Sequence, residues 1–540
     1  MLHPFFAQAA ESMSYWPLGI LLISVAFILV SIIKLKLHPF LALTFAAILT
    51  GLLTGDLPGM THENVGLFKD RVELKETPND TGNDLLLAVK WSFLGFGNTA
   101  GGIGFIVALA AIIGVCMLGS GAADRVVRWL LSVFGEDRAG IVLLLSGFLL
   151  SIPVFFDTVF FLLIPLARAL SLRTGKSYTL FVMAMAGAGA ITHSMVPPTP
   201  GPLMIADGLK LDLGVAMMAG LAASILPAWL VLYLARKFDE KYDLPMREAS
   251  GASTSELKTI VEKKDSELPN LFMAALPVAM PVVLISLVSI LKLVAKDTVS
   301  GQEWFKYLEF FGSPNIAMLL AAIAAVYTLA AQLIKDSKVS DDGLMSTVSK
   351  AMEDPLQTAG VIILITGAGG AFGGMIRMAG VGGTIEGLAT SYNISLILLA
   401  WGATAVVRIA QGSATVAMIT GVGLMSSVIG DGSSLPYHSL YIFLAIGFGS
   451  ITLSWMNDSG FWVVQRLSGF TEKETLKTWS VMLTAISLLG LIQIMIFSTL
   501  FPMKPEAPAP EPEKTAMVSS VEGWASPGNH PPLLPQQKSR

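Results

Sequence analysis

Two charged residues lie inside stretches of the chain that are otherwise apolar enough to sit in lipid. Asp157 falls within Ile141–Leu170, and Arg408 falls within Ile394–Ile429. A charge at bilayer depth costs roughly 2.5–3.5 kcal/mol on insertion scales, and such charges usually mark a substrate or ion pathway. An arginine can bind a carboxylate through paired hydrogen bonds, and a buried aspartate favours its protonated form. The two residues therefore predict a carrier.

Composition assigns the chain to the polytopic membrane proteins. Of its 540 residues 53% are hydrophobic and 14% charged, and the mean hydropathy is +0.68. Such a chain has more apolar surface than one soluble core could bury. The net charge of -4 and the pI near 5.9 exclude nucleic acid as a partner. The single cysteine, Cys116, can form neither an intrachain disulfide nor a cysteine metal cluster.

Apolar runs of about 20 residues, the length of a membrane helix, recur along the chain. Eight of them are uninterrupted: 17–33, 38–55, 101–119, 212–235, 270–294, 314–334, 357–376 and 478–501. Four are broken: Ile141–Leu170 by Pro153, Phe181–Ala206 by the prolines from Pro197 to Pro202, Ile394–Ile429 by Gly412, and Leu440–Val464 by Asn457–Gly460. Irregular backbone at membrane depth is tolerated only where it is buried in protein or lines a cavity. The four breaks should therefore face a common interior.

The distribution of lysine and arginine predicts the orientation, because short cytoplasmic loops are enriched in them. With the N-terminus outside, most basic clusters fall on one side, and both ends of Ile141–Leu170 lie there. This segment is predicted to be a re-entrant hairpin that turns at Pro153–Thr158, whereas Ile394–Ile429, with few flanking cations, is predicted to enter from outside. The sequence thus predicts an all-α polytopic membrane protein with about ten transmembrane helices and two opposed re-entrant hairpins.

An internal repeat supports this topology. Thr192-His193-Ser194 matches Thr452-Leu453-Ser454 after 260 residues, and the same offset places Pro198-Thr199-Pro200 on Asp458-Ser459-Gly460. Two halves with the same order of elements and opposite predicted orientation describe an inverted repeat. The predicted organisation is a first half at 1–235 with an extramembrane loop at 56–90, a cytoplasmic linker at 236–268, a second half at 269–501 and a disordered Pro-rich tail at 502–540.

The substrate of an inverted-repeat carrier binds near the midplane, where broken helices offer unpaired N–H groups. Hydroxyls, amides and bare backbone dominate the converging segments, as recognition of a polyhydroxylated acid requires. The predicted substrate-binding residues are Thr158, Thr192, Ser194, Pro198, Thr199, Arg408, Gln411, Gly412, Ser413, Thr415, Asn457 and Ser459. The candidates for carrying the coupling proton are Asp157, Asp458 and His193.

Each of these roles has a structural alternative. Arg408 could form an ion pair with Asp157 or Asp458 instead of binding substrate. Two acids for one proton means that at least one of them is structural. His193 could equally be a hydrogen-bonded packing residue.

Four motifs together resemble the GntP family of gluconate permeases. They are Phe155-Phe156-Asp157, Thr192-His193 through Pro202, Arg408 through Ala417, and Asn457 through Trp462, and the resemblance spans about residues 17–501. It implies a proton symporter of the bacterial inner membrane for gluconate or a related sugar acid, with a fold like that of the ion-transporter superfamily. Other members take up other hexonates or D-serine. Well-studied gluconate permeases have Pro-Pro-His-Pro-Gly where this chain has Thr199 in the histidine position, which leaves the sugar acid open.

Two other functions fit some of the same residues. A sodium-coupled carrier of a small carboxylate or D-serine could coordinate its cation with Ser413, Thr415, Asn457 and Ser459. An intramembrane enzyme could use His193, Asp157 and Asp458 as acid and base, but alternating access needs two mirrored halves and catalysis does not. No Walker motif is present, and no cofactor or metal is predicted. The expected partners are a small carboxylate, protons and the lipid bilayer, and homo-oligomerisation is left open.

Overall fold

The computed structural model describes residues 15–55, 57, 84–153, 155–174, 177–247, 265–299, 302–381, 384, 395–430, 432, 435–456 and 458–503. Helices supply all the regular secondary structure of these ranges. The predicted all-α fold is therefore confirmed.

Nine helices form the first part of the chain: α1 (Trp16–Ile33), α2 (Pro39–Thr54), α3 (Asp84–Ser120), α4 (Ala122–Phe134), α5 (Ala139–Leu150), α6 (Phe156–Thr174), α7 (Tyr178–Met195), α8 (Pro200–Gly208) and α9 (Leu213–Tyr242). The second part contains α10 (Leu271–Val294), α11 (Glu303–Gly312), α12 (Pro314–Lys335), α13 (Leu344–Met378), α14 (Leu396–Gln411), α15 (Ala414–Ile429), α16 (Leu440–Gly449), α17 (Ser459–Ser468) and α18 (Glu472–Leu500). Short helical turns occur at Glu136–Arg138 and Lys296–Val299.

Seven of the described helical segments are long and apolar enough to cross a membrane. They are α3, α7 together with α8, α9, α10, α12, α13 and α18. The sequence predicts about ten spans because it also counts α1, α2 and α16, which are apolar but shorter. A multi-pass membrane protein is confirmed, and the side from which each hairpin enters stays a prediction.

The first hairpin, α5 and α6, breaks where the sequence predicts. Helix α5 ends at Leu150, Ser151–Pro153 form a turn, and α6 begins at Phe156. A proline lacks an N–H group, so Pro153 cannot continue the hydrogen-bond ladder of α5. Asp157 consequently lies in the first turn of α6.

The second hairpin, α14 and α15, turns at Gly412. Its φ of +95° suits glycine, which has no Cβ to clash in this region, and its N–H donates to Arg408 O at 2.9 Å. Gln411 Oε1 accepts from Ser413 N at 2.9 Å, and Ser413 Oγ caps α15 by accepting from Val416 N at 3.3 Å. Arg408 therefore sits one turn before a rigid hairpin tip.

The two broken spans differ in where their helices end. Helix α7 stops at Met195 and α8 starts at Pro200, as predicted. In the second span the sequence predicts a break at Asn457–Gly460, but α16 already ends at Gly449. Side chains satisfy the carbonyl groups that this end exposes: Ser487 Oγ donates to Phe448 O and Ser450 Oγ to Gly447 O, both at 2.7 Å. The sequence around Gly449 does not reveal the contact with Ser487, because Ser487 lies on α18.

The two parts of the chain repeat the same order of elements. A long helix, a hairpin, a broken span and a further long helix occur as α3, α5–α6, α7–α8 and α9, and again as α13, α14–α15, α16–α17 and α18. The long apolar helices α10 and α12 precede the second set as α1 and α2 precede the first. This order agrees with the offset of about 260 residues in the sequence repeat.

Parts of the predicted domain plan lie outside the described residues. These are 58–83 of the extramembrane loop, 248–264 of the linker and 504–540 of the tail. Residues 84–90, which the sequence analysis assigns to the loop, already belong to α3. The division into two halves, a linker and a tail stays a prediction.

Glycines of α3 and α13 allow close approach between helices. A Cβ added at Gly95 would lie 3.1 Å from Ala371 Cα, and one added at Gly373 would lie 2.8 Å from Gly423 Cα in α15. Small residues let membrane helices pack backbone to backbone. Gly95 and Gly373 thus allow α13 to pack closely against α3 and α15.

Gly373→Ala should destabilise the protein, because its new methyl group overlaps the backbone of Gly423 and overpacking typically costs about 1–3 kcal/mol. Gly360→Ala on the same helix is the matched control, since a Cβ there meets nothing within 4 Å. We expect a lower melting temperature in detergent for Gly373→Ala only. Equal melting temperatures for the two variants would contradict this packing role.

Candidate functional site

A cavity of about 280 Å³ lies where the two hairpins meet the two broken spans. Nine residues predicted from the sequence line it: Asp157, Thr158, His193, Ser194, Arg408, Ser413, Thr415, Asp458 and Ser459. They come from α6, α7, the second hairpin and the start of α17. The prediction that the breaks face a common interior agrees with this arrangement.

An ion pair between Arg408 and Asp458 forms one wall of the cavity. Arg408 Nη2 donates to Asp458 Oδ2, and the two residues are only 3% and 6% exposed. Ser454 Oγ also donates to Asp458 Oδ2, and Gly460 N donates to Asp458 Oδ1 at 3.0 Å. Asp458 is therefore committed to Arg408 and to capping α17. Of the two acids that the sequence offers to Arg408, the structure selects Asp458.

The guanidinium of Arg408 is only partly satisfied by this pair. Its Nε and Nη1 are buried and have no hydrogen-bond partner among the described residues. A buried donor without a partner costs about 1–3 kcal/mol, and more for a charged group. Arginine keeps its charge under all ordinary conditions. These two N–H-bearing atoms thus leave hydrogen-bonding capacity unused in a residue that lines the cavity.

Asp157 lines the same cavity but differs from Asp458 in its contacts. Its side chain is exposed to the cavity, and no described residue forms a hydrogen bond or ion pair with it. The two acids, which the sequence could not tell apart, therefore differ in the structure. Asp458 has a fixed cationic partner, whereas Asp157 has no hydrogen-bond or ion-pair partner among the described residues.

Three helices begin at the cavity wall. The lining includes residues at the starts of α6, α15 and α17, represented by Thr158, Thr415 and Ser459. Helix N-termini carry a partial positive charge and unpaired N–H groups, and both favour an anion. Together with Arg408, these helix starts make the cavity suited to a negatively charged ligand.

His193 also lines the cavity, at the last turn of α7. Its backbone carbonyl accepts a hydrogen bond from Thr199 Oγ1 at 3.0 Å, which ties it to the break between α7 and α8. The described residues provide no hydrogen-bond partner for its imidazole. Its role in proton coupling stays a prediction.

Several predicted substrate-binding residues support the site without lining it. Thr192 Oγ1 donates to Phe148 O at 3.2 Å and so joins the first hairpin to α7. Thr199 Oγ1 donates within the break to His193 O and to Val196 O, at 3.0 and 2.8 Å. Gln411 and Gly412 form the tip of the second hairpin, and Pro198 lies in the first break, preceded by a cis peptide bond. Asn457 lies outside the described residues.

The cavity also has walls that sequence reasoning missed. Helix α13 contributes Thr358 and Ile362, and α18 contributes Trp479 and Leu483. The other additions are Phe155, Phe156, Ala190, Ile451, Gly460 and Ala414. Thr358 follows Asp354 and Pro355 in α13, and Trp479 follows Lys477 in α18, but neither helix is assigned to the site from the sequence. No sequence pattern marks them, although Phe155-Phe156 belongs to a motif quoted for the resemblance.

Helices that cross a bilayer around a buried, arginine-bearing polar cavity define a membrane transporter. The sequence model for "GntP family permease" matches residues 81–500. A gluconate permease of Pseudomonas aeruginosa is 34% identical over 481 residues, which cover 88% of this chain and 96% of that protein. An uncharacterized permease of Haemophilus influenzae is 31% identical over 490 residues, which cover 89% and 92%. The chain therefore belongs to the GntP permease family and is a multi-pass transporter of the bacterial inner membrane, not an enzyme.

A solved structure supports the fold independently. The YdaH transporter of Alcanivorax borkumensis, described as having an unusual topology, aligns with a TM-score of 0.55 at 16% sequence identity. The alignment covers 87% of this chain and 100% of that one. At this identity the likeness extends to the fold alone.

Proposed function

We propose that this transporter imports gluconate or a related sugar acid by proton symport through alternating access. The observation that carries the proposal is the pair of unsatisfied donors, Nε and Nη1, on Arg408, a residue that lines a cavity with several hydroxyl-bearing side chains. A carboxylate would satisfy them through charge-assisted hydrogen bonds. The gluconate permease of Pseudomonas aeruginosa, similar over most of both chains, supports the choice of a sugar acid.

The cavity supports a small, polar substrate. Its volume of about 280 Å³ lies just below the usual range of about 300–1,000 Å³ for small-molecule sites. Thr158, Ser413, Thr415 and Ser459 line it with hydroxyl groups, which can donate to and accept from the hydroxyls of a sugar acid. The carboxylate end would face Arg408, and the polyol chain would face the helix starts.

Charge balance supports a proton as the coupling ion. Arg408 and Asp458 neutralise each other, so the protonation of Asp157 decides the net charge of the two acids and the arginine. With Asp157 ionised, an incoming carboxylate meets a like charge in a confined, poorly solvated space, and like charges there oppose each other strongly. Protonation of Asp157 removes that repulsion. Substrate and proton would therefore bind together.

Alternating access would follow from the repeated architecture. Both hairpins line one cavity, together with α7 beside the first break and residues of the second broken span. Movement of the hairpin-bearing parts against the remaining helices could therefore open the cavity to either side in turn. Repeats of this kind commonly form the two gates of secondary transporters.

Uptake into reconstituted vesicles tests this function. Labelled D-gluconate is supplied outside under an inward proton gradient without sodium, with other hexonates, glycerate and D-serine as competitors. Accumulation that a protonophore abolishes would support proton symport, and the strongest competitor would identify the substrate. Uptake that requires sodium would favour the sodium-coupled alternative. Failure to transport any of these acids under either gradient would overturn the sugar-acid assignment.

A further inference from the structure

Helix α18 contains one irregular turn, and this turn faces the cavity. Residues Leu476–Ser480 are π-helical, and Trp479 within them lines the cavity while remaining only 2% exposed. Single π-helical turns inside α-helices are rare and occur frequently at functional sites. The irregular turn directs attention to what the Trp479 side chain contacts.

Trp479 begins a chain of buried hydrogen bonds that ends at Arg408. Its Nε1 donates to Ser454 Oγ at 2.7 Å, and Ser454 Oγ in turn donates to Asp458 Oδ2. An indole N–H can only donate and a hydroxyl has one hydrogen, so the direction of the chain is fixed. Ser454 is fully buried. No water is needed to complete the link from tryptophan to the ion pair.

This series of hydrogen bonds determines where the carboxylate of Asp458 lies. Asp458 Oδ2 accepts from both Ser454 and Arg408, so a shift of Ser454 would change the oxygen that holds Arg408 Nη2. The orientation of the guanidinium decides whether Nε and Nη1 can reach a substrate. Buried polar chains of this kind strengthen and orient one another.

The first hairpin holds the indole ring from its other side. Phe156 stacks on Trp479 with ring centroids 5.6 Å apart and an interplanar angle of 24°, and Phe160 stacks in turn on Phe156 at 5.9 Å. Phe156 directly precedes Asp157. The indole is thus fixed between the proposed proton-binding hairpin and the ion pair of the other half.

We propose that Trp479 is a positioning residue: through Ser454 and Asp458 it orients Arg408 toward the substrate carboxylate. This inference rests on the proposed function, because it assigns Trp479 a part in recognising the same substrate. The alternative is a tryptophan that only fills space. The two roles differ in the indole N–H, which filling space does not require.

Trp479→Phe separates these roles, because phenylalanine keeps a buried aromatic ring but has no N–H. We expect its KM for the best-transported hexonate to rise roughly three- to tenfold with a smaller change in kcat, the usual scale for one lost hydrogen bond. Ser454→Ala should raise KM at least as much. The double variant should be no worse than Ser454→Ala alone, since both substitutions interrupt one chain.

Trp401→Phe is the matched control. Trp401 Nε1 donates to Ser487 Oγ at 2.9 Å, the same bond type in the same part of the chain, but Trp401 does not line the cavity. Its KM should remain that of the unmodified protein. This control separates the loss of an indole hydrogen bond in general from the loss of the one that leads to Arg408.

The outcomes separate this inference from the proposed function. If the unmodified protein transports a hexonate and either Trp479→Phe or Ser454→Ala keeps its KM, the positioning role is overturned while the function stands. If the unmodified protein transports no hexonate, the function fails. The hydrogen-bonded link from Trp479 to Asp458 is then judged from melting temperatures measured without substrate. The proteins compared are the unmodified protein, Trp479→Phe, Ser454→Ala and the double variant. Non-additive losses would support the hydrogen-bond chain, and additive losses would overturn it.

Discussion

Arg408→Gln should reduce the initial rate of sugar-acid uptake by about a hundredfold or more. Truncating one member of a buried, hydrogen-bonded charge pair commonly costs about 2–5 kcal/mol, and the variant loses both donors that have no partner among the described residues, Nε and Nη1. Glutamine keeps a polar side chain but not the charge that a carboxylate needs. The measurement is uptake into vesicles that contain equal amounts of inserted protein.

A charge-balanced double variant distinguishes recognition from stability. Arg408→Gln alone removes the cationic partner of the buried Asp458 carboxyl group, and breaking a buried ion pair in this way costs roughly 3–5 kcal/mol. In Arg408→Gln/Asp458→Asn both charges are absent, so we expect much of the melting temperature in detergent to return. Uptake should not return with it. Recovery of uptake in the double variant would show that Arg408 serves only as the partner of Asp458.

Asp157→Asn should abolish proton-driven accumulation while leaving exchange of substrate across the membrane. Asparagine resembles the protonated acid in shape and charge, so the cavity should still accept the anion, but no proton can leave it. Exchange by the unmodified protein should slow as pH rises, because a smaller fraction of Asp157 is protonated. Exchange by the variant should lose this dependence. The measurements are accumulation under a proton gradient and counterflow at several pH values without one.

Asp243→Asn is a suitable control for this variant. Asp243 is an exposed aspartate that ends α9 at a φ of +38°, which asparagine tolerates well, and it does not line the cavity. It should accumulate substrate at the unmodified rate. If Asp157→Asn does the same, Asp157 has no part in coupling, and His193 becomes the next candidate.

The structure shows what Thr199, the residue at the histidine position of the Pro-Pro-His-Pro-Gly motif, contacts. Thr199 donates its hydroxyl to two backbone carbonyls in the break and does not line the cavity. Its position therefore supports the backbone around His193 rather than the cavity itself. The histidine that lines the cavity in this chain is His193.

The sequence alone determined the class of protein, most of the apolar helices and the positions of most breaks. These features follow from local properties: apolar length, the missing N–H of Pro153 and the φ freedom of Gly412. The charged residues of the site were also visible, because Asp157 and Arg408 stand out against apolar neighbours and Asp458 lies in a polar break of an apolar stretch.

Only the tertiary structure decided which of these residues pair and which other side chains surround them. It paired Arg408 with Asp458 rather than Asp157, ended α16 at Gly449, and added Thr358 and Trp479 to the cavity. Each of these facts depends on contacts between helices that are remote in the chain. Hydropathy and helix-breaking residues carry no information about which side chains such helices bring together, because that depends on packing.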